Sequence, residues 1–110
     1  MEITFANREL EKLCNRSNYA KRKLGDQGAR KLQSRLADIE AVHDVTELIA
    51  GSPHPLKGDR EGDFSLRLHG AQRLVFRPEH NPLPRLEDRG IDWGNVTAVR
   101  IVEIGDYHST

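Results

Sequence analysis

This sequence offers almost none of the features that assign a function outright. Its single cysteine, Cys14, cannot close an internal disulfide, and no Cys/His spacing of a metal site accompanies it. No apolar stretch approaches a membrane span, and the N-terminal residues lack the apolar core of a signal peptide. A cytoplasmic chain without membrane contact is therefore expected. Net charge is missing as well: 17 basic residues balance 17 acidic ones, which removes a bulk attraction to nucleic acid. No carboxylate cluster points to a Mg²⁺ site, no glycine-rich loop precedes a helix, and no Gly-x-Ser-x-Gly elbow occurs. Neither a metal nor another cofactor is expected. With 110 residues there is room for one modest core. Residues 1–110 are read as one domain, and any site must lie on the surface of that core.

What is present is unevenly distributed. Residues 7–36 carry nine basic side chains against three acidic ones, and the acidic excess falls in 38–47 and 79–92. Residues 2–5 alternate in the manner of a short strand, and Asn7 is placed to cap a helix that turns Leu10, Leu13 and Cys14 inward. A second helical stretch, 17–42, carries Ala29, Leu32, Leu36 and Ile39 at spacings of three and four, with a weak point at Gly25 to Gly28 where Asp26 can start a new helix. Together these predict a helical hairpin laid over something flatter.

Beyond His43 the period changes. Gly51-Ser52-Pro53-His54-Pro55 is expected to be irregular because of its prolines. From Phe64 the period is two, predicting a hairpin in which Phe64, Leu66, Leu68, Leu74 and Phe76 share the apolar face. Keeping them on one face requires an odd loop, most simply Gly70-Ala71-Gln72, and gathers Arg67, Arg73 and Arg77 on the other face. Residues 78–95, rich in proline and glycine, read as a long excursion pinned by Trp93. The nearly continuous apolar run 96–104 reads as a central strand buried on both faces. The predicted class is α+β: an N-terminal helical hairpin packed on a small, mainly antiparallel twisted sheet.

Three features carry possible chemistry. Pro53 and Pro55 restrict the backbone around His54, so its imidazole loses little entropy in holding one direction. Asp106, Tyr107 and His108 follow the last strand directly and bring three proton-carrying groups to a strand end. Arg67, Arg73 and Arg77, with Lys57 near in sequence, suit contact with phosphate oxygens. Each alone is also what a surface loop, a frayed end or a solvated strand face shows. They agree, however, on one substrate, a phosphodiester held by arginines beside groups placed for proton transfer. RNA cleavage by the neighbouring 2′-hydroxyl needs no more than these groups.

The run HPLKGDREGDFSLRLHGAQRLVF, 54–76, with the closing VEIGDYH, 102–108, resembles the HigB branch of the RelE/ParE superfamily, toxins of bacterial type II toxin–antitoxin modules. The resemblance implies a RelE-like fold and a ribosome-dependent mRNA endoribonuclease that inhibits translation and arrests growth. It implies catalytic roles for His54, Arg73, Asp106, Tyr107 and His108, and an RNA-binding role for Lys57 beside Arg67 and Arg77. The implied partners are a HigA-like helix-turn-helix antitoxin, the ribosome with its mRNA, and operator DNA reached through the antitoxin. The chain departs from the pattern at Gln72, where relatives often carry an aromatic residue, in the length of the 78–94 excursion, and in its neutrality. Two other readings stand beside it: a non-catalytic binding or regulatory module on the same fold, and a gyrase-directed ParE-like toxin. The latter has no use for His54 together with Asp106-Tyr107-His108.

Overall fold

The elements form in the order the periodicities predict. In the computed structural model, which describes residues 1–106, the order is β1 (Glu2–Phe5), α1 (Arg8–Asn15), α2 (Ser17–Ala41), β2 (His54–Pro55), β3 (Phe64–Arg67), β4 (Gln72–Pro78) and β5 (Ala98–Asp106). Asn7 caps α1: its Oδ1 accepts the Leu10 N–H at 3.0 Å, and Leu10, Leu13 and Cys14 are buried below. The stretch read as weak is a real break, with Gly25 at φ 79° inside α2 and the helix resuming beyond it. Leu32, Leu36 and Ile39 on the second half of α2 pack on the sheet through Leu66, Leu74 and Phe76. Burying each such side chain stabilises the fold by roughly 1.5–3 kcal/mol.

The sheet has the order β1-β5-β4-β3-β2, antiparallel except for the parallel β1–β5 pair. The predicted helical hairpin on a small, mainly antiparallel sheet is thus the observed architecture, with β5 inside the sheet as expected. Three details differ. The proline segment does contain regular structure: His54 and Pro55 pair with Ser65 and Phe64 as a two-residue edge strand. Proline is compatible with such an edge, where no further strand calls on its missing N–H. The hairpin turns around Gly70, but Leu66 faces Leu74 and Phe64 faces Phe76, so Gln72 belongs to the strand rather than the loop. This two-residue difference in register preserves parity, and the predicted apolar and arginine faces survive it.

The third detail concerns β5, which is not buried evenly on both faces. Its register with β4 shifts between Val75 and Phe76, where Val75 faces Glu103 and Phe76 faces Ile101. The bulge lets Ile101 and Ile104, an odd number of residues apart, both pack toward the core. It also places Glu103 on the outer face, among the arginines. The 78–95 excursion carries one isolated bridge, Arg85 to Ile91. Trp93 pins it as predicted, meeting the Phe64 ring edge-on at 4.9 Å, while Phe64 stacks on Phe76 at 5.3 Å.

Candidate functional site

The outer face of the β2-β3-β4 corner is hollowed into a cleft of about 400 Å³ lined by Ser52, His54, Ser65, Arg67, Gln72 and Arg73, with Gly70 and Ala71 at the hairpin tip. His54 reaches it because the chain before it runs tight against β3. Gly51 O accepts the Arg67 N–H at 2.7 Å, and a Cβ on Gly51 would stand 3.2 Å from the Arg67 carbonyl oxygen. Gly51 also adopts φ 85°, so a residue without a side chain is needed there on both counts. Strand pairing then fixes His54 opposite Ser65 and Arg67 opposite Arg73.

His54 Nδ1 lies 2.8 Å from the Ser52 carbonyl oxygen. A carbonyl only accepts, so Nδ1 carries the hydrogen and donates, leaving Nε2 as the basic nitrogen of the neutral ring. Pro53 and Pro55 hold the backbone on either side. The contact and the flanking prolines favour one ring direction and, in the neutral ring, the tautomer with its hydrogen on Nδ1.

Arg73 is the more deeply set of the cleft arginines, its side chain 12% exposed. Its Nη2 stands 3.5 Å from Glu103 Oε2, and the other oxygen of that carboxylate takes the Arg60 Nη2 at 2.8 Å. Arg60 Nε donates to Asp63 at 3.0 Å, and Arg77 Nε donates to the second Asp63 oxygen at 3.2 Å. The hydrogen bond that Arg60 donates to Glu103, followed by the one it donates to Asp63, holds its guanidinium above its ordinary value. A ladder of alternating charge therefore runs Arg77, Asp63, Arg60, Glu103, Arg73 across the outer face, with Arg73 at its cleft end.

The structure brings His54, Arg67 and Arg73 together in one cleft. Asp106 is the last residue of β5 and pairs with Gln72, beside Arg73, so the strand leads its end toward the same corner. Tyr107 and His108 lie outside the described residues. Lys57 lines a second cleft, of about 660 Å³, with Trp93, Arg85 and Arg89. Arg77 faces a third hollow with Asp63 and Arg60. Sequence reasoning did not single out Ser65, Gln72, Arg60 or Glu103. Arg60 and Glu103 meet only through the register of three strands and a bulge, and no local pattern reports that. Gln72 carried a signal in its departure from an aromatic residue. Its Nε2 donates to the Leu24 carbonyl, 2.9 Å away, just ahead of the helix break, and its Oε1 lies against Gly28.

Among the described residues, His43, Asp44 and Glu47 bring possible ligand atoms within 4.8 Å of one another. Both carboxylates already have work as a capping box: Asp44 accepts the Thr46 N–H, and Glu47 accepts the Asp44 N–H. No described helix is long and apolar enough to cross a membrane.

No protein-family description matches the sequence, and no curated protein matches it. Solved structures do match over nearly the whole length. The YoeB/ParE toxin from Agrobacterium tumefaciens superposes with a TM-score of 0.63 at 15% identity, over 98% of this chain and 100% of that one. The YoeB-YefM complex from Staphylococcus aureus gives 0.59 at 20% identity, over 99% of this chain and 98% of that one. The YoeB dimer from the same organism gives 0.57 at 20% identity with the same coverage, 99% and 98%. At these identities the fold is what is shared, and two helices on a five-stranded, mainly antiparallel sheet is the RelE-like architecture of these toxins.

Proposed function

We propose that this chain is the toxin of a type II toxin–antitoxin module, an endoribonuclease that cuts mRNA on the ribosome and so blocks translation. The observation that carries the reading is the convergence of His54, Arg67 and Arg73 in one cleft at the end of β5, on a fold shared with YoeB and ParE toxins. The HigB-type assignment draws further on the closing Asp106-Tyr107-His108.

In this mechanism the scissile phosphate lies against Arg73, with Arg67 at the cleft wall, where rigid guanidinium groups match phosphate oxygens bidentately. His54 Nε2 takes the proton from the 2′-hydroxyl, a role its favoured tautomer supports; Asp106 is the other candidate for that step. The 2′-oxygen forms its bond to phosphorus as the 5′-oxygen bond breaks, leaving a 2′,3′-cyclic phosphate. Arg73 offsets the charge that gathers on the phosphorane oxygens, and His108 returns a proton to the leaving 5′-oxygen. Proton transfer by a positioned group contributes roughly 10² to 10⁴ in rate.

The S. aureus YoeB chain is found in a complex with YefM. By analogy this chain is held inactive by a cognate antitoxin, HigA-like and helix-turn-helix in kind, through which the pair reaches operator DNA. Inducing the chain alone should arrest growth and produce new 5′ ends within translated messages. His54→Ala and Arg73→Ala should abolish both while the protein remains folded. Growth arrest with intact messages would overturn the reading.

A further inference from the structure

We propose that Glu103 sets the strength with which Arg73 holds a phosphate, as a counter-ion kept in place by Arg60. The proposal rests on the reading of Arg73 as the phosphate-binding residue of the cleft. Two distances carry it. Charge-assisted nitrogen–oxygen bonds run about 2.7–2.9 Å. The Arg60–Glu103 contact has that length, 2.8 Å, while the Arg73–Glu103 contact is longer at 3.5 Å. Glu103 is gripped at short range from one side and approached at longer range from the other, so an anion arriving at Arg73 competes with a carboxylate that stays with Arg60.

Arg60 is fixed in turn. Asp63 is buried, with its side chain 7% exposed, and divides its two oxygens between Arg60 and Arg77. The ladder holds three cations, Arg60, Arg73 and Arg77, against two carboxylates, Asp63 and Glu103. Glu103 is a positioning residue in this account: it acts through Arg73 and does not touch the substrate.

The two members of the Arg60–Glu103 pair should then shift binding in opposite directions, which loss of a merely structural ion pair cannot do. The probe is a fluorescent single-stranded hexaribonucleotide with 2′-O-methyl groups, uncleavable by 2′-attack, titrated at low salt by anisotropy. Glu103→Gln keeps the side chain's shape and removes its charge. It should tighten binding about tenfold and steepen the slope of log affinity against log salt by about 0.7. Arg60→Gln leaves Glu103 with Arg73 as its only partner in the ladder, and should weaken binding about fivefold, which is roughly 1 kcal/mol. Glu87→Gln removes an equal charge outside the ladder and should change affinity less than about twofold. Thermal melting of each variant establishes that it is folded.

Weaker binding in both ladder variants, or no change in either, overturns the proposal and leaves the cleavage reading intact. Opposite shifts in a protein that leaves messages uncut in cells uphold the proposal and remove the cleavage reading. Absence of Arg73-dependent binding in the wild type and in Glu103→Gln overturns the proposal as well.

Discussion

Gly28→Ala is a substitution whose effect should have the opposite sign to its usual one. Within an exposed helix, alanine is favoured over glycine by about 1 kcal/mol. At Gly28 an added Cβ would stand 2.2 Å from Gln72 Oε1 and 2.9 Å from Leu24 Cβ. Gln72 is flexible and can withdraw, but its Nε2 then gives up the Leu24 carbonyl. The lost hydrogen bond costs about 1 kcal/mol, and a carbonyl left unpaired under the hairpin costs about 1–3 kcal/mol more. After the alanine gain is subtracted, a net destabilisation of about 1–3 kcal/mol remains, a fall of about 4–13 °C in Tm for a domain of this size. Circular-dichroism melts of the wild type, Gly28→Ala, Gln72→Ala and the double variant read the cycle directly. With Gln72 removed only the 2.9 Å approach to Leu24 Cβ remains, and Gly28→Ala should cost about 1–2 kcal/mol less than it does in the wild type. A single Gly28→Ala variant that melts higher than wild type refutes the reasoning.

Other consequences follow from burial and charge. Burial pushes the Cys14 thiol up to about 12, so at pH 8 it should react with iodoacetamide only as fast as the protein opens; labelling at the rate of a free thiol would contradict its placement in the core. The Asp44 carboxyl is held below its ordinary value, chiefly by its hydrogen bond with the Thr46 side chain. A lowered folded value makes this contribution to stability complete above the ordinary range of an aspartate and lost as pH falls through the lowered folded value. Asp44→Asn should therefore flatten the pH dependence of urea unfolding in that acid window and leave its slope near pH 7 unchanged. Asp63→Asn should cost about 1–2 kcal/mol rather than the 3–5 typical of a broken buried pair, because both arginines it abandons can reach water: Arg60 is 38% and Arg77 55% exposed. Denaturant unfolding measures it, and a loss above about 3 kcal/mol would show the arginines to be trapped.

Much of the fold was legible because its signals are local. The Asn7 cap, the break at Gly25 and the two faces of the hairpin each depend on residues a few positions apart, and each stands where the sequence placed it. Parity, which decides which face is apolar, survived even though the hairpin register differs by two residues. What could not be read depends on distant partners. His54-Pro55 counts as a strand only because Ser65 and Phe64 lie beside it. The burial of Ile101 and Ile104 on one face needs a bulge that no spacing rule announces. The site followed the same division. His54, Arg67 and Arg73 could be nominated from their own neighbourhoods, and they line one cleft. Lys57 is three residues from His54 in sequence yet lines a different cleft, because the chain turns through Gly58–Arg60 immediately after it. Glu103 stands as a lone charge in an apolar run of the sequence, and only the fold brings Arg60 and Arg73 to either side of it.

The central claim is that the cleft promotes attack by the 2′-hydroxyl on the adjacent phosphate. Its most direct test is a translating ribosome programmed with a message bearing a single 2′-deoxy nucleotide immediately 5′ of the mapped cut. The account predicts that this message survives the purified protein, while the all-ribose message is cut to a 2′,3′-cyclic phosphate and a 5′-hydroxyl end. Cutting of both messages at the same bond would contradict it.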